Sequence, residues 1–490
     1  HLSDPKTPLS LIFAIPDHPW VDAGDGAAVR IAMTVAEAGR ANGRLGTVTE
    51  ETKGAYEAEG RPVRFDVEKG KVFADLRIGA DVAGAVALKA NEKITFMGMK
   101  LHGAGFIVSE AEAKAFGLGT DQGLASIIRP YKNGRDLTQS ARGLYAIDLY
   151  PLPAMEVRVR FPAIYQHVLD RVKPERDQNN EPWRKEHWWW FGRTHEDLRA
   201  VGSGLSRIIA TTRTAKHRLF SFMNAGDIAE SKIVVIGLAD AWQLAVLSTR
   251  LHEVWALASG AFLEDRPNYN HTQCFNPFPF PDPTEAQKTH LRSLGEQLDA
   301  HRKAQQAAHP KLTLTAMYNV LEKLRAGERI EGKDKEIYDQ GLIRILRDLH
   351  AQIDTAVAEA YGWPATLTDD EILHRLVDLN RERAAEESRG QIRWLRPDYQ
   401  NPQGKAASAK GEQSAMDIGP AISTDKAPWP KTLPEQIAAV RNALADLGTA
   451  TPEQIARHFQ RGRAASVQPL LESLAALGQA RPVTGGRFAA

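Results

Sequence analysis

Between Arg184 and Arg218 stand eight Lys/Arg residues (Arg184, Lys185, Arg193, Arg199, Arg207, Arg213, Lys216, Arg218) against three acids, a local charge of +5. Guanidinium and ammonium groups at this density suit phosphate contacts, and Arg also reads guanine edges through paired hydrogen bonds. His187, Trp188, Trp189 and Trp190 lie in the same stretch, and their rings can pack a scaffold or touch sugar and base. The competing reading is a solvated basic face over a tryptophan core. A second group, Asp17, His18 and Trp20, falls in a run punctuated by Pro and Gly between two apolar segments. Such a group can line a pocket that holds a base out of the duplex; the alternative is a turn in which Trp20 caps the core. Asp148, Asp265 and Arg266 sit near apolar runs and read as structural ion-pair partners. Cys274, with no base placed beside it by any motif, reads as a buried inert thiol. The histidines are scattered without ligand spacing, so no metal is expected. No Gly-rich phosphate loop, dinucleotide fingerprint, nucleophile elbow or acidic nuclease cluster is present, and so no complete catalytic constellation.

The elements that must carry these groups follow from period and punctuation. Strands are expected at 9–15 and 27–36, then a hairpin at 63–67 and 71–76 around Glu68-Lys69-Gly70. Further strands are expected at 94–98, 127–130, 144–149, 207–210 and 233–236. Ser109 caps a helix over 109–116, and a helix over 161–172 leads into the tryptophan run. Residues 241–258 are apolar on most faces and read as one packed helix. The run Phe278-Pro279-Phe280-Pro281-Asp282-Pro283 cannot continue a helix and closes the mixed region. Helices follow at 284–308, 313–326, 333–361 and 368–387, the last opened by the capping-box pattern Thr368-Asp369-Asp370-Glu371. Residues 401–425 lack aromatic residues and read as a linker. In 426–490 three helices precede a Gly-rich hairpin, the winged-helix order, with eight Lys/Arg against four acids. Arg461 and Arg463 open the third of those helices, where phosphate can meet a helix N-terminus, and contact with protein fits equally well.

The whole chain averages these features away. Its 490 residues suggest roughly three domains of ~150 each. Lys+Arg total 62 and Asp+Glu 61, which excludes a globally basic DNA-coating protein and requires any nucleic-acid surface to be local. A single cysteine permits no intrachain disulfide and fits a reducing compartment, hence the cytoplasm. The longest apolar runs, such as 233–238, fall far short of the ~18 residues that span a membrane.

Taken in order, several segments resemble a family. Phe13-Ala14-Ile15-Pro16-Asp17-His18-Pro19-Trp20 and Gly26-Ala27-Ala28-Val29-Arg30-Ile31 come first, then Phe96-Met97-Gly98 and Arg129-Pro130-Tyr131-Lys132-Asn133-Gly134-Arg135-Asp136. Trp188-Trp189-Trp190-Phe191-Gly192, Asp265-Arg266-Pro267-Asn268-Tyr269-Asn270 and Cys274-Phe275-Asn276-Pro277-Phe278-Pro279-Phe280-Pro281 follow. Over about residues 10–400 the series is similar to the C-terminal half of the type IIG/IIL (MmeI-like) site-specific DNA adenine methyltransferases of restriction–modification and phage-defence systems. The resemblance implies transfer of a methyl group from S-adenosylmethionine to adenine N6. The family's Asn/Asp-Pro-Pro-Tyr/Phe and cofactor motifs are absent from these residues and, in the family order, precede them. This chain alone is thus expected to be inactive and to supply target recognition on double-stranded DNA.

The implied architecture is multidomain, α/β plus all-α. It runs from trailing strands of a methyltransferase sheet (1–50) through a mixed α/β target-recognition domain (51–282) to a helical domain (283–400), a linker and a winged-helix tail. Arg184, Lys185, Arg193, Arg207, Arg213, Lys216, Arg218, Arg266 and Tyr269 are the expected DNA contacts. Asp17, His18 and Trp20 would wall the base pocket. Two alternatives stand beside this: a non-catalytic DNA-specificity subunit, and a scaffold that binds defence-system subunits through the helices and tail.

Overall fold

The computed structural model describes residues 8–19, 30–51, 63–263, 266–402, 427–430, 432–447, 449–456, 459–460, 464–476, 479–483 and 487–489. They fall in two compact units, His1–Lys405 and Ala406–Ala490. No helix among them is long and apolar enough to cross a membrane.

The first unit opens with four strands, β1 (Leu9–Pro19), β2 (Arg30–Ala38), β3 (Gly43–Glu51) and β4 (Val63–Gly70), in the order β2-β1-β3-β4. The β1–β3 pairing is parallel and the others antiparallel. One face buries Leu11, Ala14 and Val72 against Leu45, Leu76 and Ile78. The hairpin expected around Glu68-Lys69-Gly70 does not form. β4 runs straight through that tripeptide and pairs with β3, while Val72 makes only an isolated bridge to Leu11. The chain turns instead at Leu76, in the left-handed region at φ 57°. β3 escaped the sequence reading because its residues Gly43-Arg44-Leu45-Gly46-Thr47 alternate only weakly. Gly43 is needed there: a Cβ would stand 2.1 Å from the Leu11 carbonyl oxygen.

The strands β5 (Thr95–Met97), β6 (Ile107–Ser109), β7 (Ile128–Lys132), β8 (Leu144–Ile147), β9 (Arg207–Thr212), β10 (Phe220–Asn224), β11 (Ile228–Ala229) and β12 (Ile233–Ile236) make two further sheets, β10-β9-β12-β5 and β11-β7-β8-β6. Every residue of β12 is buried, as a continuous Ile/Val run demands. A short hairpin, β13 (Ala261–Leu263) and β14 (Arg266–Asn268), follows.

Two segments expected as single helices are broken. Residues 241–258 form Ala241–Leu247 and Arg250–Ser259, because Thr249 caps the second by accepting from the His252 N–H. Residues 333–361 form Gly332–Gln340 and Ile343–Tyr361, split where Leu342 takes φ 45°. The helix expected over 161–172 forms intact as Pro162–Arg171, started by Pro162 at its first position and preceded by a separate helix, Ala154–Arg160.

The helices after residue 283, expected as a separate domain, share one hydrophobic core with the sheets. Leu291, Leu294 and Leu298 of the helix Glu285–Ala308 are buried in it. Gly295 lets that helix approach the all-buried Ala241–Leu247, since a Cβ there would meet the Ala241 carbonyl oxygen at 2.2 Å. The same helix closes the open edge of β10. Asp299 accepts from the Phe222 N–H at 3.1 Å, Arg302 donates to the Phe220 carbonyl at 2.9 Å, and Lys303 donates to the Phe222 carbonyl at 2.9 Å. Spacings of three and four residues put all three side chains on one helical face.

In the second unit, helices Leu433–Leu447, Pro452–Ala456 and Ala464–Ala476 pack with a three-stranded sheet of Thr449–Ala450, Arg487–Ala489 and Arg481–Val483 around Val440, Leu444, Ile455, Val467 and Leu471. Arg461 and Arg463 lie outside the described residues.

Candidate nucleic-acid interface

Burial divides the aromatic run. Trp188 and Phe191 are core residues. Trp188 meets Tyr165 edge-on at 5.6 Å, and Phe191 meets Phe106 edge-on at 5.2 Å. The indole N–H groups of Trp189 and Trp190 both donate to the Leu152 carbonyl, at 2.8 and 3.0 Å. These four residues are scaffold, and they set the short helix Pro182–Glu186 on the surface with Trp183, Arg184 and Lys185. Trp183 stacks on His187 at 4.9 Å and 20°, and His187 stacks on Trp190 at 4.8 Å and 23°.

A second segment joins this surface. The Gly192 N–H donates to the Leu101 carbonyl, and the Lys100 N–H donates to His195 Nε2, each at 3.0 Å. The second bond makes Nε2 an acceptor, so the ring is neutral with its proton on Nδ1. His102 and His195 face each other's segments with φ of 51° and 54°. Two non-glycine residues in that conformation mark a backbone held by its surroundings. Gly192 is required between them, because a Cβ would lie 2.2 Å from the His102 ring.

The result is a cationic ridge. Lys100, His102, Lys185 and Arg193 are exposed, and Arg184 is half-buried and paired to Glu181 at 3.1 Å. Beneath them Arg176 is buried. It donates to the Leu101 and Trp190 carbonyls at 2.9 and 3.0 Å, while its Nε and Nη1 have no partner among the described residues. Burial, then repulsion by Arg184, pulls its pKa down to about 10. Burial and the neighbouring cations Arg184, Arg176 and Lys100 lower the pKa of His102. Burial followed by Arg199, Arg193, Lys100 and His102 lowers that of His195 to about 4. Both imidazoles are therefore neutral near pH 7, and the ridge holds its positive charge in the Arg and Lys groups. Lys100 and His102 were invisible in the sequence, since they stand some eighty residues before the basic block and join it only through tertiary contacts.

The other expected contacts sort differently. Arg207 forms a two-pronged ion pair with Glu296, donates to the Ala239 carbonyl at 3.0 Å and stacks on Phe222. Arg218 donates to Thr211 Oγ1 at 3.1 Å and to the Thr212 and Pro267 carbonyls, over the Tyr269 ring. Tyr269 is 1 % exposed and its hydroxyl meets His252 Nε2 at 2.9 Å. Arg218 and Tyr269 point into the fold, which corrects the expectation that they face a ligand, whereas Arg207 is one-third exposed and engaged by Glu296. Arg207 donates to the Ala239 carbonyl after β12, and Arg218 ties Thr212 at the end of β9 to Pro267 in β14.

Arg213 and Lys216 are exposed. Arg213 donates to Asn268 Oδ1 at 3.2 Å, and Lys216 to Asn319 at 2.7 Å and Glu322 at 3.0 Å. Arg266 is exposed at the start of β14. Asp17 and His18 belong to β1 rather than to a loop, with a register shift between Ile15 and His18; Trp20 and Asp265 lie outside the described residues. Asp148 is a structural ion-pair partner, gripped by Arg199 at 2.5 and 2.7 Å and by Arg129 at 3.1 Å. Cys274 is buried, and burial raises its pKa.

Arg129 and Arg199 also line a cavity of about 140 Å³ with Met99, Leu198, Met223 and Asp227. It is smaller than the ~300 Å³ at which cofactor pockets begin.

No curated protein matches the chain. Residues 85–282 match the family model of the MmeI target recognition domain. The solved structure of the type IIL restriction–modification enzyme MmeI in complex with DNA shares the fold with a TM-score of 0.56 at 15 % identity, covering 77 % of this chain and 46 % of that one. The chain thus spans about half the length of the MmeI chain it matches. By sequence over residues 85–282 and by fold over most of its length this protein is similar to MmeI, and the matched segment is the one that builds the cationic ridge.

Proposed function

We propose that this chain recognises a short sequence in double-stranded DNA, as the target-recognition part of an S-adenosylmethionine-dependent adenine-N6 methyltransferase of a restriction–modification or phage-defence system. One observation carries the reading: the segment matching the MmeI target recognition domain also holds the exposed cations Lys100, Lys185 and Arg193, of which Lys100 and Arg193 both act on His195. Exposed cations on a rigid aromatic scaffold suit phosphate contacts that set register, with base choice left to polar side chains reaching a groove. Arg213, Lys216 and Arg266 form a further candidate strip on the same domain.

The residues described do not fit S-adenosylmethionine. The 490 residues lack the Asn/Asp-Pro-Pro-Tyr/Phe motif, and the cavity beside Arg129 and Arg199 is too small. No methyl-transfer step is therefore assigned to this chain's own side chains. We read the Ala406–Ala490 unit as a winged-helix-like module, supported by its three helices and three-stranded sheet.

The test is binding of duplex DNA by the chain across a salt series. A steep fall in affinity between 50 and 200 mM salt is expected of several phosphate contacts. Weak binding with little salt dependence would instead favour the scaffold reading. Expression of the full gene followed by sequencing for modified adenine tests the methyltransferase part, and an unmodified genome overturns it.

A further inference from the structure

We infer that Trp183 is a stacking platform for an unpaired nucleobase. The inference rests on the DNA-binding reading and names a substrate feature that reading leaves open.

His187 stacks on Trp183 at 4.9 Å and on Trp190 at 4.8 Å, and the two indoles lie 6.5 Å apart, tilted by 43°, so the three rings form a compact cluster. The cluster is anchored, because the Trp190 indole N–H donates to the Leu152 carbonyl. Trp183 is not buried in it: this ring is 37 % exposed. The Trp183 indole N–H makes no hydrogen bond to a described residue, whereas the scaffold tryptophans Trp189 and Trp190 both do. Core packing does not account for a large indole left outside, since Trp188 and Phe191 already fill the core.

The surroundings fit one ligand chemistry. Lys185 on the same short helix and Arg193, shortly after the tryptophan run, are exposed cations suited to flanking phosphates. Of the nearby acids, Glu181 is paired with Arg184, and Glu186 ends the helix. An aromatic face beside cations is how proteins hold single bases without reading their sequence, because every base has a π-face. In a paired duplex that face is covered by the neighbouring base pairs. A base without its partner exposes it and costs little to unstack. Ring contacts with His187 and Trp190 already hold Trp183 before binding, so less side-chain entropy remains to be lost.

The experiment uses the full 490-residue chain and two short duplexes at one salt concentration, one fully paired and one carrying a single bulged 2-aminopurine. The wild-type chain should bind the bulged duplex about tenfold more tightly and quench its fluorescence. Trp183→Ala should bring the ratio of the two affinities to about one and abolish the quenching, and Trp183→Phe should restore both. A wild-type ratio of one, or a ratio that survives Trp183→Ala, overturns the inference while leaving duplex recognition standing. Failure to bind either duplex at low salt overturns the DNA reading and this inference together. Should the alanine variant not fold, the wild-type quenching and the phenylalanine variant still decide the matter.

Discussion

Arg193 and Arg218 carry the same guanidinium and do unrelated work. Arg193 stands in solvent, whereas Arg218 is enclosed, holds loop carbonyls on three sides and has its pKa lowered by burial. Truncation of Arg218 to Ala removes its hydrogen bonds to the Thr212 and Pro267 carbonyls and should cost about 1–3 kcal/mol, measurable by urea unfolding. Three imidazoles set the acid limit. His195 is held at about 4, His252 at about 3 and His350 well below its usual value, each chiefly by burial. In the unfolded chain all three bind protons near pH 6.5. Below that pH the unfolded state takes up more protons than the folded one, so stability falls as pH drops from 6.5 toward 4. Each buried imidazole adds a slope of up to about 1.4 kcal/mol per pH unit. Melting temperatures measured from pH 7.5 to 5 should decline, and His252→Gln should flatten the decline.

At the scale of elements, the helix Glu285–Ala308 does two jobs with two faces. Leu291, Leu294 and Leu298 fill the core, while Asp299, Arg302 and Lys303 occupy the backbone groups of edge strand β10. An uncovered edge is a template for pairing with another chain, so a helix with polar groups at matching heights both satisfies the strand and blocks that route. Arg302, 2 % exposed, is further fixed by Tyr318, whose hydroxyl meets His350 Nε2 at 2.6 Å. Asp299→Ala strands the buried Phe222 N–H and should destabilise the protein by about 1–3 kcal/mol, read from the denaturation midpoint. Lys303→Ala should cost less, because half of that side chain is already in water.

At the scale of the molecule, a net charge of +1 conceals a local surplus that becomes a surface only after folding. Reversal of Lys185 or Arg193 to Glu should weaken duplex binding and reduce the salt slope by about one for each phosphate contact removed. Unchanged slopes in both variants would exclude the ridge from the interface. Arg207→Lys serves as a comparison, since it alters the pairing with Glu296 rather than an exposed cation.

Local periodicity in the sequence was enough to place β9, β12, the capped helices and the Pro-rich boundary after Phe278, because these signals lie within a few residues of one another. The basic-aromatic block was also legible as a block. Which of its members face outward was not. The indoles and guanidiniums of the run are alike in sequence, and only long-range contacts divide Trp188 from Trp183 or Arg218 from Arg193. The partners that made the difference, Lys100, His102, Leu152, Pro267 and Glu296, stand tens of residues away. Composition therefore determined that positive charge must be concentrated, and tertiary packing decided which cations to bury on carbonyls and carboxylates and which to leave for a ligand.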